Sequence, residues 1–215
     1  MKKSIAQLRR SYEKAKLSEE SVSTNPFEQF QIWFDQNLKV NKNDPTAMAL
    51  ATTDKKGMPT NRIVLLKEYS HESGFSFYTN YDSRKAKQIK ENPNASLLFY
   101  WPQTERQIRV EGKIRKLSKE TSETYFHQRP RESQIGAWAS EQSSAIPDRN
   151  YLESTMNDLT HFFKDQSTIP LPPYWGGYTL LPIYFEFWQG RPNRLHDRIT
   201  YSWIKGKWKI RRLAP

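Results

Sequence analysis

The residues best able to do chemistry lie in Glu186-Phe-Trp188-Gln-Gly-Arg-Pro-Asn-Arg194-Leu-His196-Asp-Arg198. Arg194, His196 and Arg198 fall at i, i+2 and i+4, so in an extended segment all three point to one side and Asp197 faces away. Three cationic or potentially cationic groups together are costly unless an anion or an electron-rich ring lies between them. A metal site does not fit, because His71, His127 and His161 lie apart without ligand spacing. A serine hydrolase does not fit either, since there is no G-x-S-x-G elbow.

Three further stretches carry cations toward anions. In Arg62-Ile63-Val64-Leu65-Leu66-Lys67 the odd separation puts Arg62 and Lys67 on opposite faces of a strand, suited to two anions rather than one. Arg84 and Lys85 follow Asp82-Ser83 in the first turn of an expected helix. Cations there oppose the helix dipole, unless an anion also uses the free N–H groups. Tyr125 and Arg129 lie one helical turn apart with Ser133 beyond, and a phenol, a guanidinium and a hydroxyl at a helix end suit a phosphate monoester. Each stretch could also be an ordinary charged surface.

The 215 residues carry a net charge of +11, which calls for anionic partners. The basic residues are spread through the chain and recur singly inside apolar strands, as at Arg109, which favours compact phosphate sites over a nucleic-acid face. There is no cysteine, so disulfides, thiolate nucleophiles and cysteine-ligated metals are excluded. No apolar run is long enough to span a membrane or serve as a signal peptide, and a cytoplasmic location is expected.

The elements that must position these residues can be read from the pattern. Residues 1–24 are polar and weakly periodic, which predicts a mobile arm with one short helix; residues 25–215 are expected to form one domain. Asn25-Pro26-Phe27-Glu28 starts a helix with Phe27, Phe30, Phe34 and Leu38 on its buried stripe. Further helices are expected over about 82–91, 118–127 and 147–164. Strands are expected over 46–53, 61–68, 75–79, 95–101, 106–117, 177–188, 199–204 and 208–213. Eight hairpin-linked strands with four helices indicate a mainly β chain: an antiparallel barrel with flanking helices. No glycine-rich nucleotide cradle is present, so side chains must hold any bound nucleotide.

Taken in order, RIVLLK (62–67), FYTNYDSRKA (77–86), ERQIRVEG (105–112), YFHQRPRESQIGAW (125–138), EFWQG (186–190), RLHDR (194–198) and RRLAP (211–215) resemble the pyridoxine/pyridoxamine 5'-phosphate oxidase family. The resemblance runs nearly unbroken from residue 44 and includes Arg9-Arg10-Ser11-Tyr12. It implies a homodimeric split β-barrel with one non-covalent FMN per subunit, at sites drawing on both chains. It assigns Arg62, Ile63, Val64, Leu65, Leu66, Lys67, Tyr78, Thr79, Arg84, Lys85, Gln107, Gln142, Ser143, Trp188 and Arg198 to the flavin. It assigns Lys67, Tyr125, Arg129 and Ser133 to the substrate phosphate, and Arg194, Leu195 and His196 to the substrate ring, with Arg194 and His196 catalytic. The arm Arg9, Arg10, Ser11 and Tyr12 would close the site. The implied reaction moves a hydride from substrate C4' to the flavin, which dioxygen reoxidises with release of hydrogen peroxide. Partners would be pyridoxamine or pyridoxine 5'-phosphate and dioxygen, with no metal, nucleic acid or membrane. A sister oxidase of phenazine-type precursors would not need the phosphate clamp. A binding module without turnover would leave both the clamp and RLHDR without a task.

Overall fold

The computed structural model describes residues 4–8 and 11–215. Its residues group into two compact units. The first takes Met1–Leu50, Ser96–Gly112 and Pro182–Pro215; the second takes Ala51–Ala95 and Lys113–Leu181. The elements in chain order are α1 (Pro26–Val40), β1 (Ala47–Thr53), β2 (Pro59–Leu65), β3 (Glu68–Ser70), β4 (Gly74–Asn80) and α2 (Arg84–Glu91). Then come β5 (Asn94–Trp101), β6 (Arg106–Lys116), α3 (Lys119–Gln128), α4 (Arg131–Ala139), α5 (Arg149–Phe163), β7 (Trp175–Gln189), β8 (Asp197–Ile204) and β9 (Lys207–Arg212). Single 3-10 turns occupy Ile5–Gln7 and Pro192–Arg194. The strands follow the order β2-β1-β5-β6-β7-β4-β3, with β8 on β7 and β9 on β8.

In the first unit, Asn25 caps α1 by accepting the Phe27 N–H at 2.9 Å. Its buried face is Phe27, Phe30, Trp33, Phe34 and Asn37. Leu38, expected on that stripe, is exposed, because Trp33 and Asn37 shift the buried arc away from it. Phe30 packs against Phe99 at 5.1 Å and Trp33 against Phe187 at 5.3 Å, so a few aromatic rings fill this core. Strands β7 and β8 pair antiparallel, Trp188 opposite Arg198, and a tight turn at Lys205-Gly206 leads into β9. The backbone of residues 13–17 is held as well. Leu17 is buried, and its N–H donates to Asp197 Oδ2 at 3.1 Å.

In the second unit β3, β4 and the first half of β7 form an antiparallel set, with Tyr78 opposite Gly177. That pairing needs the glycine, since a Cβ there would stand 2.8 Å from the Tyr78 ring. Ser83 caps α2 and Ser118 caps α3, each side chain accepting an N–H three residues on. Two elements depart from the sequence reading. The strand expected over 61–68 ends at Leu65, and Glu68 opens β3 instead. Pro130 does not only stop α3; its carbonyl accepts the Gln134 N–H and starts α4. A proline at a helix start shows the same residue as one at a stop, so the pattern alone could not separate the two. Phe126, Ile135, Phe163, Ile169 and Trp175 form the unit's helical core.

Replacing Phe30, fully buried among Phe34, Phe99 and Trp101, with alanine is expected to cost about 3–5 kcal/mol. Ile32→Ala on the exposed face of α1 should change stability by less than about 0.5 kcal/mol. Urea unfolding midpoints of the two variants check this.

Candidate functional site

A cavity of about 500 Å³ in the second unit is lined by Arg62, Lys67, Lys85 and Arg129, together with Tyr78, Thr79, Tyr125, Ser133, Gln142 and Trp175. Four cations line it and no carboxylate does. They fall into two groups with separate partners.

In the first group Lys85 is buried at the start of α2. Its Nζ donates to Gln142 Oε1 at 2.6 Å, Thr79 Oγ1 at 3.0 Å and Ser83 Oγ at 3.3 Å, all neutral acceptors. Burial, and then the nearby Arg62 charge, lower its pKa to about 8. Arg62 on β2 donates to Thr52 Oγ1 and Thr60 Oγ1, each at 2.6 Å. Burial and the Arg84 charge lower its pKa too. Gln88 Oε1 accepts from both threonine hydroxyls at 2.7 Å, which turns their remaining lone pairs toward the guanidinium.

In the second group Arg129 caps the end of α3, with its guanidinium 4.8 Å over the Trp175 ring. Its buried Nη1 has no hydrogen-bond partner. Lys67 lies 5.8 Å over the Tyr125 ring. Tyr125 stacks on Tyr78 at 3.9 Å, and Tyr78 on Trp175 at 5.5 Å, making a wall of flat rings. Burial above all pushes the Tyr78 hydroxyl up to about 12, so it stays protonated and able to donate at neutral pH. Ser133 joins from α4, and the Gln134 amide donates to the Arg129 carbonyl at 2.8 Å, which fixes the α3–α4 corner.

A second cluster lies in the first unit. The Tyr12 ring meets Trp188 edge-on at 5.8 Å and His196 at 5.7 Å; Trp188 and His196 are 4.6 Å apart. Gly190 makes room, because a Cβ there would stand 2.8 Å from the Tyr12 ring. The Arg191 N–H donates to His196 Nδ1 at 3.1 Å, which leaves the proton of the neutral ring on Nε2. Burial and the Arg194 charge lower the His196 pKa, favouring that neutral ring. Arg198 Nε donates to the buried Glu186 at 2.7 Å, and Arg109 pairs with the other Glu186 oxygen at 2.8 Å.

A family profile described as pyridoxamine 5'-phosphate oxidase matches residues 34–162, and one for the pyridoxine 5'-phosphate oxidase C-terminal dimerisation region matches residues 175–215. A relative from Gloeothece citriformis named pyridoxine/pyridoxamine 5'-phosphate oxidase is 49% identical over 216 residues, covering 100% of both chains. The chain belongs to the pyridoxamine 5'-phosphate oxidase family. The crystal structure of PhzG from Burkholderia lata 383, in complex with tetrahydrophenazine-1-carboxylic acid, superposes with a TM-score of 0.85 at 28% identity, over 91% of this chain and 95% of that one. A related FMN-binding protein from Nostoc punctiforme has the same fold, with a TM-score of 0.70 at 19% identity over 90% and 100% of the two chains. The mainly β, antiparallel split barrel with flanking helices is the fold of this oxidase family.

Of the residues that the family resemblance singled out, Arg62, Ile63, Val64, Leu65, Lys67, Tyr78, Thr79, Lys85, Tyr125, Arg129, Ser133 and Gln142 all line the one cavity. Arg84 and Ser143 are exposed and do not line it, and Leu66 is buried and does not line it either. Gln107, Trp188, Arg194, Leu195, His196 and Arg198 belong to the first unit, as do Ser11 and Tyr12. Arg9 and Arg10 lie outside the described residues.

Two geometric expectations are corrected. Arg62 and Lys67 line a single cavity rather than two sides of a sheet, because β2 ends at Leu65 and strict alternation does not reach Lys67. Residues 194–198 are not one extended segment. Asn193 and Arg194 adopt left-handed φ values of 57° and 63°, and strand geometry begins only at Asp197. Asp197 opens β8 and pairs with Arg212 at 2.8 Å and Arg191 at 3.4 Å. Trp175 and Gln88 were missed, since neither carries a charge and their own segments give no sign of their contacts. Only their long-range partners give them a role.

Among the described residues no group of histidine or carboxylate side chains could hold a metal ion, and no helix is long and apolar enough to cross a membrane.

Lys85 gives this site a pH signature. Its folded pKa lies below the unfolded value, so the unfolded chain binds the extra proton between about pH 8 and 10.5; stability gains over that window as pH rises. Affinity for an anionic ligand seated beside Lys85 should move the other way, falling above about pH 8 as Lys85 loses its charge. Titrating the quenching of flavin fluorescence at several pH values checks this, and Lys85→Arg should flatten the fall.

Proposed function

We propose that this chain is a pyridoxamine/pyridoxine 5'-phosphate oxidase that forms pyridoxal 5'-phosphate as the final step of making this vitamin B6 cofactor. One observation carries the reading: a half-enclosed cavity with four cations, no lining carboxylate and a buried Arg129 Nη1 without a partner. Desolvated charge of one sign is unfavourable until anions enter. The two groups of partners suit two phosphates.

The donor set fits FMN. Arg62, Lys85, Thr79 and Gln142 would hold its phosphate and ribityl chain, with Arg84 and Ser143 reinforcing them from outside the cavity. Gln107, Trp188 and Arg198 would complete the pocket. One flavin per subunit, bound without a covalent link, is part of the proposal. When bound, the flavin supplies the two-electron redox chemistry with the substrate and with dioxygen.

This chain's own side chains bind and orient. Lys67, Tyr125, Arg129 and Ser133 clamp the substrate phosphate, with Arg129 able to bond two oxygens at once. Tyr78 and Trp175 keep the wall flat and partly dry. Arg194 orients and polarises the substituent at substrate C4', and His196, neutral with its proton on Nε2, donates there. The arm through Tyr12 covers the ring. Amine substrate, water and dioxygen give aldehyde, ammonia and hydrogen peroxide; alcohol substrate and dioxygen give aldehyde and peroxide.

The match to a dimerisation region supports a homodimer, and sites that draw on both copies are part of the proposal. The excess positive charge is assigned to phosphate ligands rather than to nucleic acid or a membrane surface. Phosphate monoesters cross lipid poorly, so a cytoplasmic location goes with this reading.

The likeness to PhzG favours one rival, oxidation of a phenazine-type precursor, but a substrate without phosphate gives the clamp no task. The purified protein should be yellow and release peroxide and aldehyde from pyridoxamine 5'-phosphate. Arg129→Ala and Lys67→Ala should each lower kcat/KM about 50-fold or more, mostly through KM, with flavin still bound. A yellow protein that ignores the phosphorylated amine would favour the rival.

A further inference from the structure

We infer that Glu105 is a positioning residue for this reaction, a buried latch that keeps the Tyr12 arm seated on Trp188 and His196. The inference rests on the function proposed above, but the latch itself is read from the first unit alone. Glu105 lies in the turn between β5 and β6, far along the chain from both segments it joins. Its side chain is buried, at 5% exposure. One carboxylate oxygen, Oε2, accepts the backbone N–H of Glu13 at 2.9 Å and of Lys14 at 3.1 Å. These are the two residues that follow Tyr12.

The backbone carbonyl of the same residue accepts the Gly190 N–H at 2.8 Å and the Gln189 amide at 3.2 Å. Gly190 is the residue whose missing Cβ admits the Tyr12 ring, and Gln189 follows Trp188. One residue thus fixes both faces of the contact: the arm through its side chain, the strand end through its main chain. Its own backbone is held at φ 57°, which a residue with a Cβ adopts only when its surroundings impose it.

A buried carboxylate is costly unless its bonds are worth more than its hydration. A capped turn would be satisfied by asparagine or glycine at such a φ. What glutamate adds is reach, with an anionic acceptor strong enough to take two N–H groups from the arm directly after Tyr12. Arg191 supports the same seat, its Nη1 donating to the Ala15 carbonyl at 3.1 Å.

A double-mutant cycle between Glu105 and Tyr12 tests the inference. Glu105→Ala should lower kcat/KM about tenfold or more, and should add almost nothing in a Tyr12→Ala background, because the ring it positions is already gone. Glu105→Gln, which keeps an acceptor oxygen for both N–H groups, should restore most of the activity. In the flavin-free protein, trypsin should cut after Lys14 and Lys16 about tenfold faster in Glu105→Ala than in wild type.

If Glu105→Ala does not fold, Lys14→Pro decides instead. It removes one donor from the exposed arm, with Lys14→Ala as the control for the side chain. An undiminished Glu105→Ala loss in the Tyr12→Ala background, or unchanged cleavage after Lys16 in both Glu105→Ala and Lys14→Pro, would overturn the latch. A wild-type protein that does not oxidise the phosphorylated amine would sink the proposed function, whereas the cleavage rates would still judge the latch.

Discussion

Lys67, Lys85, Arg62 and Arg129 converge on one partly dry cavity whose lining contains no carboxylate, and much of the second unit is arranged around that concentration of charge. Removing like charges from water is tolerated when neutral acceptors fix them and an anion completes them. The neutral acceptors are present: Thr52, Thr60 and Gln88 around Arg62, and Thr79, Ser83 and Gln142 around Lys85. The anions are the phosphates of the proposed ligands. Cap, turn and ring stack all place these groups, from Ser83 at the start of α2 to the Tyr78–Tyr125–Trp175 wall.

The first unit handles its charges differently. Glu186 is buried and takes bonds from Arg109, Arg198 and the Tyr184 hydroxyl, so its cations are balanced within the protein. Asp197 does the same for Arg191 and Arg212 and also accepts the Leu17 N–H. Balanced charges make a stiff frame, which is what the His196 and Trp188 rings need to keep their orientation. The contrast lies in the partners: Arg109, Arg191 and Arg212 are matched by carboxylates, whereas Arg62 and Arg129 face a lining without any.

Much of this could be read in the sequence wherever a local rule carried it. Asn25-Pro26, Ser83 and Ser118 announced their helices through capping chemistry. The phosphate-seeking side chains of three stretches were legible from residue type and spacing, and Arg62, Lys67, Lys85, Tyr125, Arg129 and Ser133 meet in one cavity. What stayed hidden depends on contacts distant in sequence. Trp175 becomes a site residue only when β7 lies beside β4, and Asp197 finds its partners only in Arg212 and the Leu17 N–H, both remote along the chain. The left-handed Asn193 and Arg194 broke an alternation argument that assumed extended backbone. Glu105 carried no signal beyond its place in a motif, since both segments it holds are remote along the chain.

The central claim is that this cavity is built for phosphate esters, and the most direct test compares one ring with and without its phosphate. Steady-state peroxide release should be measured for pyridoxamine 5'-phosphate and for pyridoxamine on the flavin-loaded wild-type protein. The account predicts a kcat/KM at least about 1,000-fold higher for the ester, the combined effect of two or more charge-assisted contacts. Values within a few-fold of each other would contradict it, because the cations of the clamp would then be contributing nothing to substrate selection.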